Sequence, residues 1–310
     1  MKGSVLKSIN NIYSVREEQS LRVYSCRIKG KVLRQAEGEY NPLVAGDVVE
    51  FEKSSDTEGL VISRYDRRSL FQRWSSKSQN NQSICANMDL VVCVCSSDSP
   101  PFRPRFADRV IACCRNVPVL ICLNKCDIGL SEEEEQRFAL YSDLGFQTIE
   151  VSAKTGKNIK DLKEILRGKV CAFVGQSGVG KSSLVNRLLG RSLEVKQRVG
   201  EINWKYNRGN HTTNYSVVLD GHDFTVIDTP GFREISVPHD DPALVSLAFP
   251  EFGKCTCEFD SCLHVNEEGC GVIEKVQSGE IDADRYESYL RILDSMQERL
   301  PVWSRGSKKK

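Results

Sequence analysis

The sequence has no long hydrophobic run. Its best, from Leu90 to Cys95, is of strand length, far short of the roughly 20 residues a membrane helix needs. The start, Met1-Lys2-Gly3-Ser4-Val5, lacks the apolar stretch of a secretory signal. No membrane association and no export are therefore expected. Neither charge is in excess: 43 basic against 42 acidic residues leave +1, which on its face argues against a general nucleic-acid binder. There is no internal repeat. With 310 residues, 40% hydrophobic and 27% charged, the chain can bury a real core, and about two domains is the length expectation. What is present in excess is cysteine. Thirteen, an odd number without an export signal, points to a reducing cytoplasm rather than a disulfide framework. Cys85, Cys93, Cys95, Cys113, Cys114, Cys122 and Cys171 sit among apolar residues and read as small core hydrophobes.

Residues 1–75 read as short strands separated by turns. Residues 21–28 alternate apolar and polar, 31–33 extend them, Gly46-Asp47 opens a strand at 48–52, and 59–63 is another. That spacing predicts a small antiparallel barrel, OB-like as the leading choice. The polar stretch 75–83 reads as a linker. From 84 to 240 the texture changes. Apolar strands at 89–95, 117–123, 147–151, 169–174 and 224–227 alternate with helical patterns at 105–114, 131–144, 159–166 and 181–189. This predicts an α/β domain with a largely parallel sheet. Residues 241–310 combine a cysteine-rich loop with helices at 272–278 and 283–299, and the lysine-ended tail from 304 reads as disordered.

Gly175-Gln176-Ser177-Gly178-Val179-Gly180-Lys181-Ser182, followed by Ser183, fits the phosphate-binding loop pattern between an apolar strand and an amphipathic helix. The glycines let backbone N–H groups and the helix start face phosphate oxygens. Lys181 would reach the β and γ phosphates, and Ser182 would ligate Mg²⁺. Asp228-Thr229-Pro230-Gly231 follows a strand, so Asp228 would hold Mg²⁺ and the Gly231 N–H would sense a γ-phosphate. Asn124-Lys125-Cys126-Asp127 and Ser152-Ala153-Lys154 also follow strands. They resemble the guanine-specifying motifs of TRAFAC GTPases. Asp127 would accept from the two adjacent donors of guanine, Ala153 N–H would donate to O6, and Lys125 would lie across the base. The base motifs precede the phosphate loop, which precedes 228–231. This is the order of a circularly permuted P-loop GTPase, physically allowed where termini and loop tips are exposed. The segment after Gly231 then runs directly into the carboxy-terminal region, which becomes a candidate readout element. Thr212 and Thr213 are both candidates for a switch Mg²⁺ ligand. Phe232 stands where many GTPases use glutamine and cannot orient water. His211 is the internal candidate for that task, with contact to an activating partner as the rival role.

Cys257, Cys262, His264 and Cys270 supply three thiolates and one imidazole, a closed tetrahedral set for a structural Zn²⁺, with Cys255 as a competing ligand. With these motifs in hand, the whole chain resembles the RsgA family of small-ribosomal-subunit biogenesis GTPases. The resemblance implies three parts: an OB-like β-barrel that binds RNA, a circularly permuted GTPase domain, and a helical zinc-binding domain. It implies hydrolysis of GTP to GDP and phosphate, stimulated by the small ribosomal subunit during its late maturation, with rRNA contacts. A cytoplasmic monomer with one zinc per chain is expected. Asn214 replaces the family's usual third switch threonine. Two rival readings are a permuted GTPase acting off the ribosome and a non-enzymatic RNA-binding zinc protein. The intact Lys181, Ser182 and Asp228 weigh against the latter. Divided by region, the charge is no longer neutral: residues 1–80 hold 14 basic and 10 acidic residues, and 245–278 hold 2 and 6. The basic clusters at 64–73 and 308–310 are solvated surface or phosphate contacts in this reading.

Overall fold

A computed structural model describes residues 1–30, 41–114, 116–190, 215–238 and 240–299. Five strands, β1 (Lys2–Ile9), β2 (Ile12–Glu17), β3 (Val23–Ile28), β4 (Val48–Lys53) and β5 (Glu58–Arg64), pair in the order β1-β2-β3-β5-β4. β4 returns to pair with β1, which closes the five-stranded OB-like barrel. Val5, Tyr13, Val15, Tyr24, Val49 and Phe51 point inward, because a small closed sheet must fill its own interior. In β1 Val5 is the one buried hydrophobic residue, and in β2 the alternation spans only Tyr13 to Arg16, so neither stands out in the sequence.

The stretch expected as a linker is instead the tip of a hairpin, β6 (Leu70–Ser75) and β7 (Asn80–Ala86). Its polar residues serve a turn, with Gln79 at positive φ. The hairpin docks on the barrel at Gly46-Asp47. Gly46 has φ +92°, and a Cβ there would lie 2.1 Å from the Ala86 carbonyl oxygen, so only glycine fits. Asp47 accepts from Arg67 Nε at 2.7 Å and Nη2 at 2.9 Å, with side chains 0% and 7% exposed. Arg64 donates to the Pro42 carbonyl, and Arg73 lies over the Phe232 ring. Of the 64–73 cluster, Arg64, Arg67 and Arg73 thus serve the junction, while Arg68 pairs with Asp89 and keeps its side chain exposed.

The second layer system contains β8 (Leu90–Ser96), α1 (Pro104–Cys113), β9 (Val119–Asn124), α2 (Glu132–Asp143), β10 (Gln147–Glu150), α3 (Ile159–Leu166), β11 (Val170–Gly175), α4 (Lys181–Leu188), β12 (Val217–Asp220) and β13 (Thr225–Asp228). The sheet order is β10-β9-β8-β11-β13-β12, parallel except for β12. β12 meets β1 at Val217 and Lys7, so barrel and sheet are continuous. Every residue of β8 and β9 is buried, as expected of central strands covered on both faces. Helices start where local chemistry dictates: Pro104 opens α1, and Ser131 with Glu134 forms a capping box for α2. α3 and α4 cover one face. α1 and α2 cover the other, together with the carboxy-terminal α5 (Ala243–Ser246), α6 (Gly271–Gln277) and α7 (Ala283–Gln297). Burial pushes the Cys113 and Cys171 thiols up to about 12, which leaves them inert small hydrophobes. Among the described residues no helix is long and apolar enough to cross a membrane.

The carboxy-terminal region is anchored by a buried charge network. Arg285 of α7 pairs with Asp108 of α1 at 2.5 Å and with Glu251 at 2.5 Å. Tyr141 of α2 donates to the same Asp108 oxygen at 2.8 Å, and the Arg285 guanidinium lies 4.7 Å from the Phe249 ring centroid.

Candidate functional site

Parallel pairing brings the motif loops to one place. Ser96 lies opposite Asn124, Val94 opposite Gly175, and Phe173 opposite Asp228. The loops after β9, β10, β11 and β13 therefore leave the same carboxyl edge of the sheet, where open α/β sheets bind ligands. The permuted chain order leaves this spatial arrangement intact, since a strand's place depends on its neighbours and not on when it is synthesised.

At the phosphate loop Gly178 has φ +89° and Gly180 φ +82°. A Cβ at Gly180 would stand 2.5 Å from Asn124 Nδ2. Asn124 is itself buried: Nδ2 donates to the Val179 carbonyl at 2.9 Å, and Oδ1 accepts from Ala153 N at 3.0 Å. One amide thus joins the phosphate loop to both base motifs. It also takes the Ala153 N–H that sequence reading reserves for guanine O6. Lys181 is 7% exposed, pairs with Asp228 Oδ1 at 2.5 Å and donates to the Thr229 carbonyl. Ser182 is half-buried at the first turn of α4.

Asp127 accepts from Ser152 Oγ at 2.6 Å and lies 4.0 Å from Lys154 Nζ. The Ser152 hydroxyl, and more weakly Lys154, hold its carboxyl below the ordinary carboxylate range. It is therefore ionised throughout neutral pH, as acceptance from two donors requires. Thr229 Oγ1 donates to the Phe173 carbonyl at 2.7 Å, pinning the start of 229–231 to β11. Gly231 packs on Ser177, with a would-be Cβ 3.1 Å from Ser177 Cα. Phe232 is buried. Its N–H donates to the Gly175 carbonyl and its carbonyl accepts from Ser177 N, both at 3.1 Å. His211, Thr212 and Thr213 lie outside the described residues, as do residues 31–33 and 304–310.

Three elements hold the chain that follows. Arg109 of α1 donates to the Ile235 carbonyl, Trp74 N of the hairpin to the Ser236 carbonyl at 2.8 Å, and Arg299, just past α7, to the Val237 carbonyl. The segment expected to be a readout element thus runs between hairpin, α1 and α7.

The ligating atoms of Cys257, Cys262, His264 and Cys270 all lie within 4.8 Å of one another. Cys257 and Cys270 sulfurs are 3.9 Å apart, and each is 3.5 Å from His264 Nδ1. A tetrahedral zinc with Zn–S of about 2.3 Å and Zn–N of about 2.0 Å implies edges of roughly 3.8 Å and 3.6 Å. The donor set therefore fits such an ion. Burial pushes the Cys262 thiol up to about 12, a cost that a bound dication would remove by holding it as thiolate. Cys255 stands apart, with its thiol directed to the Glu251 carbonyl. Sequence reading missed Glu267. Burial pushes its carboxyl up, but the amides of Leu263, Val265 and Asn266 overcome this and hold it below the carboxylate range. It shapes the ligand loop, while Tyr289 and Tyr286 hydroxyls fix the Leu263 and His264 carbonyls. A carboxylate inside the ligand spacing was the one available signal.

The RsgA GTPase family model matches residues 64–238, and the RsgA N-terminal domain model matches residues 2–61. The small ribosomal subunit biogenesis GTPase RsgA of Borrelia garinii subsp. bavariensis is 38% identical, over 96% of each chain. That of Chlorobaculum parvum is 38% identical over 96% of this chain and 99% of its own. The crystal structure of YjeQ from Thermotoga maritima has a TM-score of 0.69 at 28% identity, covering 95% of this chain and 98% of that one. YloQ, described as a circularly permuted GTPase, shares the fold with a TM-score of 0.67 at 23% identity, over 97% of this chain and 96% of its own.

Proposed function

Given that this chain belongs to the RsgA GTPase family, and so is a GTP hydrolase, we propose that it acts in maturation of the small ribosomal subunit with turnover stimulated by that subunit. The observation that carries the chemistry is the convergence of four motif loops on one sheet edge. The relatives' shared name, over nearly their whole length, supplies the partner.

In this reading Asp127 accepts the N1 and N2 protons of guanine, and Asn124 holds the two base loops against the phosphate loop. An O6 contact from Ala153 N–H is shared with Asn124 Oδ1. The amides of 175–182 and the Lys181 ammonium cradle the phosphates. Lys181 must leave Asp228 to do so. Ser182 and Asp228, with Thr212 or Thr213, would hold Mg²⁺, which supplies charge neutralisation on the phosphate oxygens. Gly231 N–H senses the γ-phosphate, and loss of that contact shifts Phe232 and the segment held by Trp74, Arg109 and Arg299. Phe232 offers no polar atom to water, so His211 or the partner orients it. The barrel contacts rRNA, and the division into barrel, GTPase domain and zinc-binding region belongs to the same proposal.

Purified small subunits are expected to raise the GTPase rate at least about tenfold over the slow intrinsic rate, as activating partners do for other GTPases. Large subunits serve as the control. A flat rate would remove the ribosomal role and leave a GTPase that works elsewhere. For the metal, freshly purified chain is expected to carry about one zinc in native mass spectrometry, and Cys262→Ala to carry almost none. Cys255→Ala should retain the metal, because its thiol faces the Glu251 carbonyl. A zinc-free parent chain would sink the assignment.

A further inference from the structure

The loop after β8, residues 97–100, has no role in the reading above, yet it touches both halves of the nucleotide site. Lys125 spends all its donors on backbone: Nζ donates to the carbonyls of Asp98 at 2.7 Å, Ser99 at 2.8 Å and Gly178 at 3.0 Å. The first two belong to this loop and the third to the phosphate loop. Lys125 also has φ +64°, a left-handed conformation that a residue with a Cβ disfavours. The Ile128 N–H closes this turn by donating to the Lys125 carbonyl at 2.9 Å, and a side chain from the neighbouring loop adds a second donor to the same oxygen. Ser97 Oγ donates to the Lys125 carbonyl at 2.7 Å, and Ser97 N donates to the Asn124 carbonyl at 3.2 Å. Ser97 is 7% exposed, so its hydroxyl has no ready exchange with water. The loop is closed on itself by Ser96 Oγ, which donates to the Pro100 carbonyl at 2.6 Å. A Cβ at Gly178 would lie 3.3 Å from Pro100 Cδ and 3.4 Å from the Ser99 carbonyl oxygen, so the phosphate loop rests directly on it.

We propose that Ser97 is a positioning residue for the guanine nucleotide, holding Lys125 in the left-handed turn that aims Asp127. The proposal rests on the reading of 124–127 as the base clamp. With the turn held, the ammonium of Lys125 ties the base clamp to the phosphate loop through Gly178. A base laid over this residue then meets its methylene stem rather than its charge. Losing the Ser97 hydroxyl leaves the Lys125 carbonyl with the Ile128 N–H alone and unties the turn from the loop after β8, which lets it shift and misplaces Asp127 relative to the phosphate loop. The reacting phosphates are gripped elsewhere, so the loss falls on binding and not on the chemical step.

The test is titration of the full chain with fluorescent methylanthraniloyl-GDP, alongside steady-state GTP hydrolysis. Ser97→Ala is expected to raise the GDP Kd and the GTP KM about tenfold, the loss of one buried hydrogen bond, with kcat changed less than about twofold. Ser97→Thr, which keeps the hydroxyl, should restore most of the affinity. Ser96→Ala frees the loop at its other end and should shift Kd the same way by a smaller factor. It keeps the test open if Ser97→Ala lowers the melting temperature. A Kd within about twofold of the parent in both alanine variants, or a loss carried by kcat alone, overturns the role. If Asp127→Asn retains its preference for GTP, the base-clamp reading fails instead, whatever Ser97→Ala does. If Asp127→Asn switches preference while Ser97→Ala binds as the parent does, only the Ser97 role fails.

Discussion

Replacing Asp127 by Asn is expected to reverse the base preference, from GTP to xanthosine triphosphate. In the proposed reading the carboxylate accepts from two donors, N1–H and the N2 amine, and hydrogen bonds to a charged group contribute about 1.5–3 kcal/mol each. With Asn the oxygen can still accept from guanine N1–H, but the amide then faces the N2 amine, so the charged bond to that amine is lost, up to about 3 kcal/mol or roughly a hundredfold in GTP affinity. Xanthine keeps N1–H but carries a carbonyl at position 2. An Asn side chain accepts from the first through its oxygen and donates to the second through its amide. The exchange should leave the fold untouched, because Asn matches Asp in shape and the named partners of Asp127 are Ser152 and Lys154. Competition of the two triphosphates against labelled GDP measures the switch. Undiminished GTP preference would detach Asp127 from base recognition. Since Ser152 holds the carboxyl below its ordinary range, GTP binding by the parent chain should show no loss between about pH 8 and pH 6.

The second large effect is on stability. Arg285→Ala removes the cation shared by Asp108 and Glu251, which are 2% and 9% exposed. Two carboxylates are then left in the interior with no facing charge, and breaking a buried pair in this way costs about 3–5 kcal/mol. Because α7 meets α1 and α2 through this network, the carboxy-terminal region should loosen first and become open to limited proteolysis. Urea denaturation of the zinc-loaded chain measures the loss. A companion variant replaces all three, Arg285→Met with Asp108→Leu and Glu251→Leu, and should recover most of the stability, since well-packed apolar groups can match a buried ion network. A single Arg285→Ala variant as stable as the parent would show the network to be without weight.

Phe232 illustrates how far a sequence reading reaches. That it cannot orient water follows from its side chain alone. That its backbone is stitched to Gly175 and Ser177, and its ring covered by Arg73, requires the fold. The hairpin at 70–86 is a similar case. Its polar tip, 75–83, has linker composition, and only strand pairing and the Trp74–Ser236 hydrogen bond reveal it as a structural arm. The cysteines divide in the same way. Burial of Cys113 and Cys171 was legible from apolar neighbours, whereas the choice of Cys257 over Cys255 as a metal-site sulfur depends on where each thiol points.

By itself the sequence displayed the local patterns: a glycine-rich loop of phosphate-binding type at 175–182, segments resembling base motifs at 124–127 and 152–154, a strand-end aspartate at 228, and four clustered Cys and His side chains. These motifs are legible because each works through glycine freedom, short side chains and backbone N–H groups within a few consecutive residues. The tertiary structure alone decided what joins them. Asp47 with Arg67, Arg285 with Asp108, Asn124 with Val179 and Lys125 with Gly178 are partners separated by 20, 177, 55 and 53 residues. No local pattern encodes such pairs, because a buried charge or amide is satisfied by whichever group the chain path brings within about 3 Å.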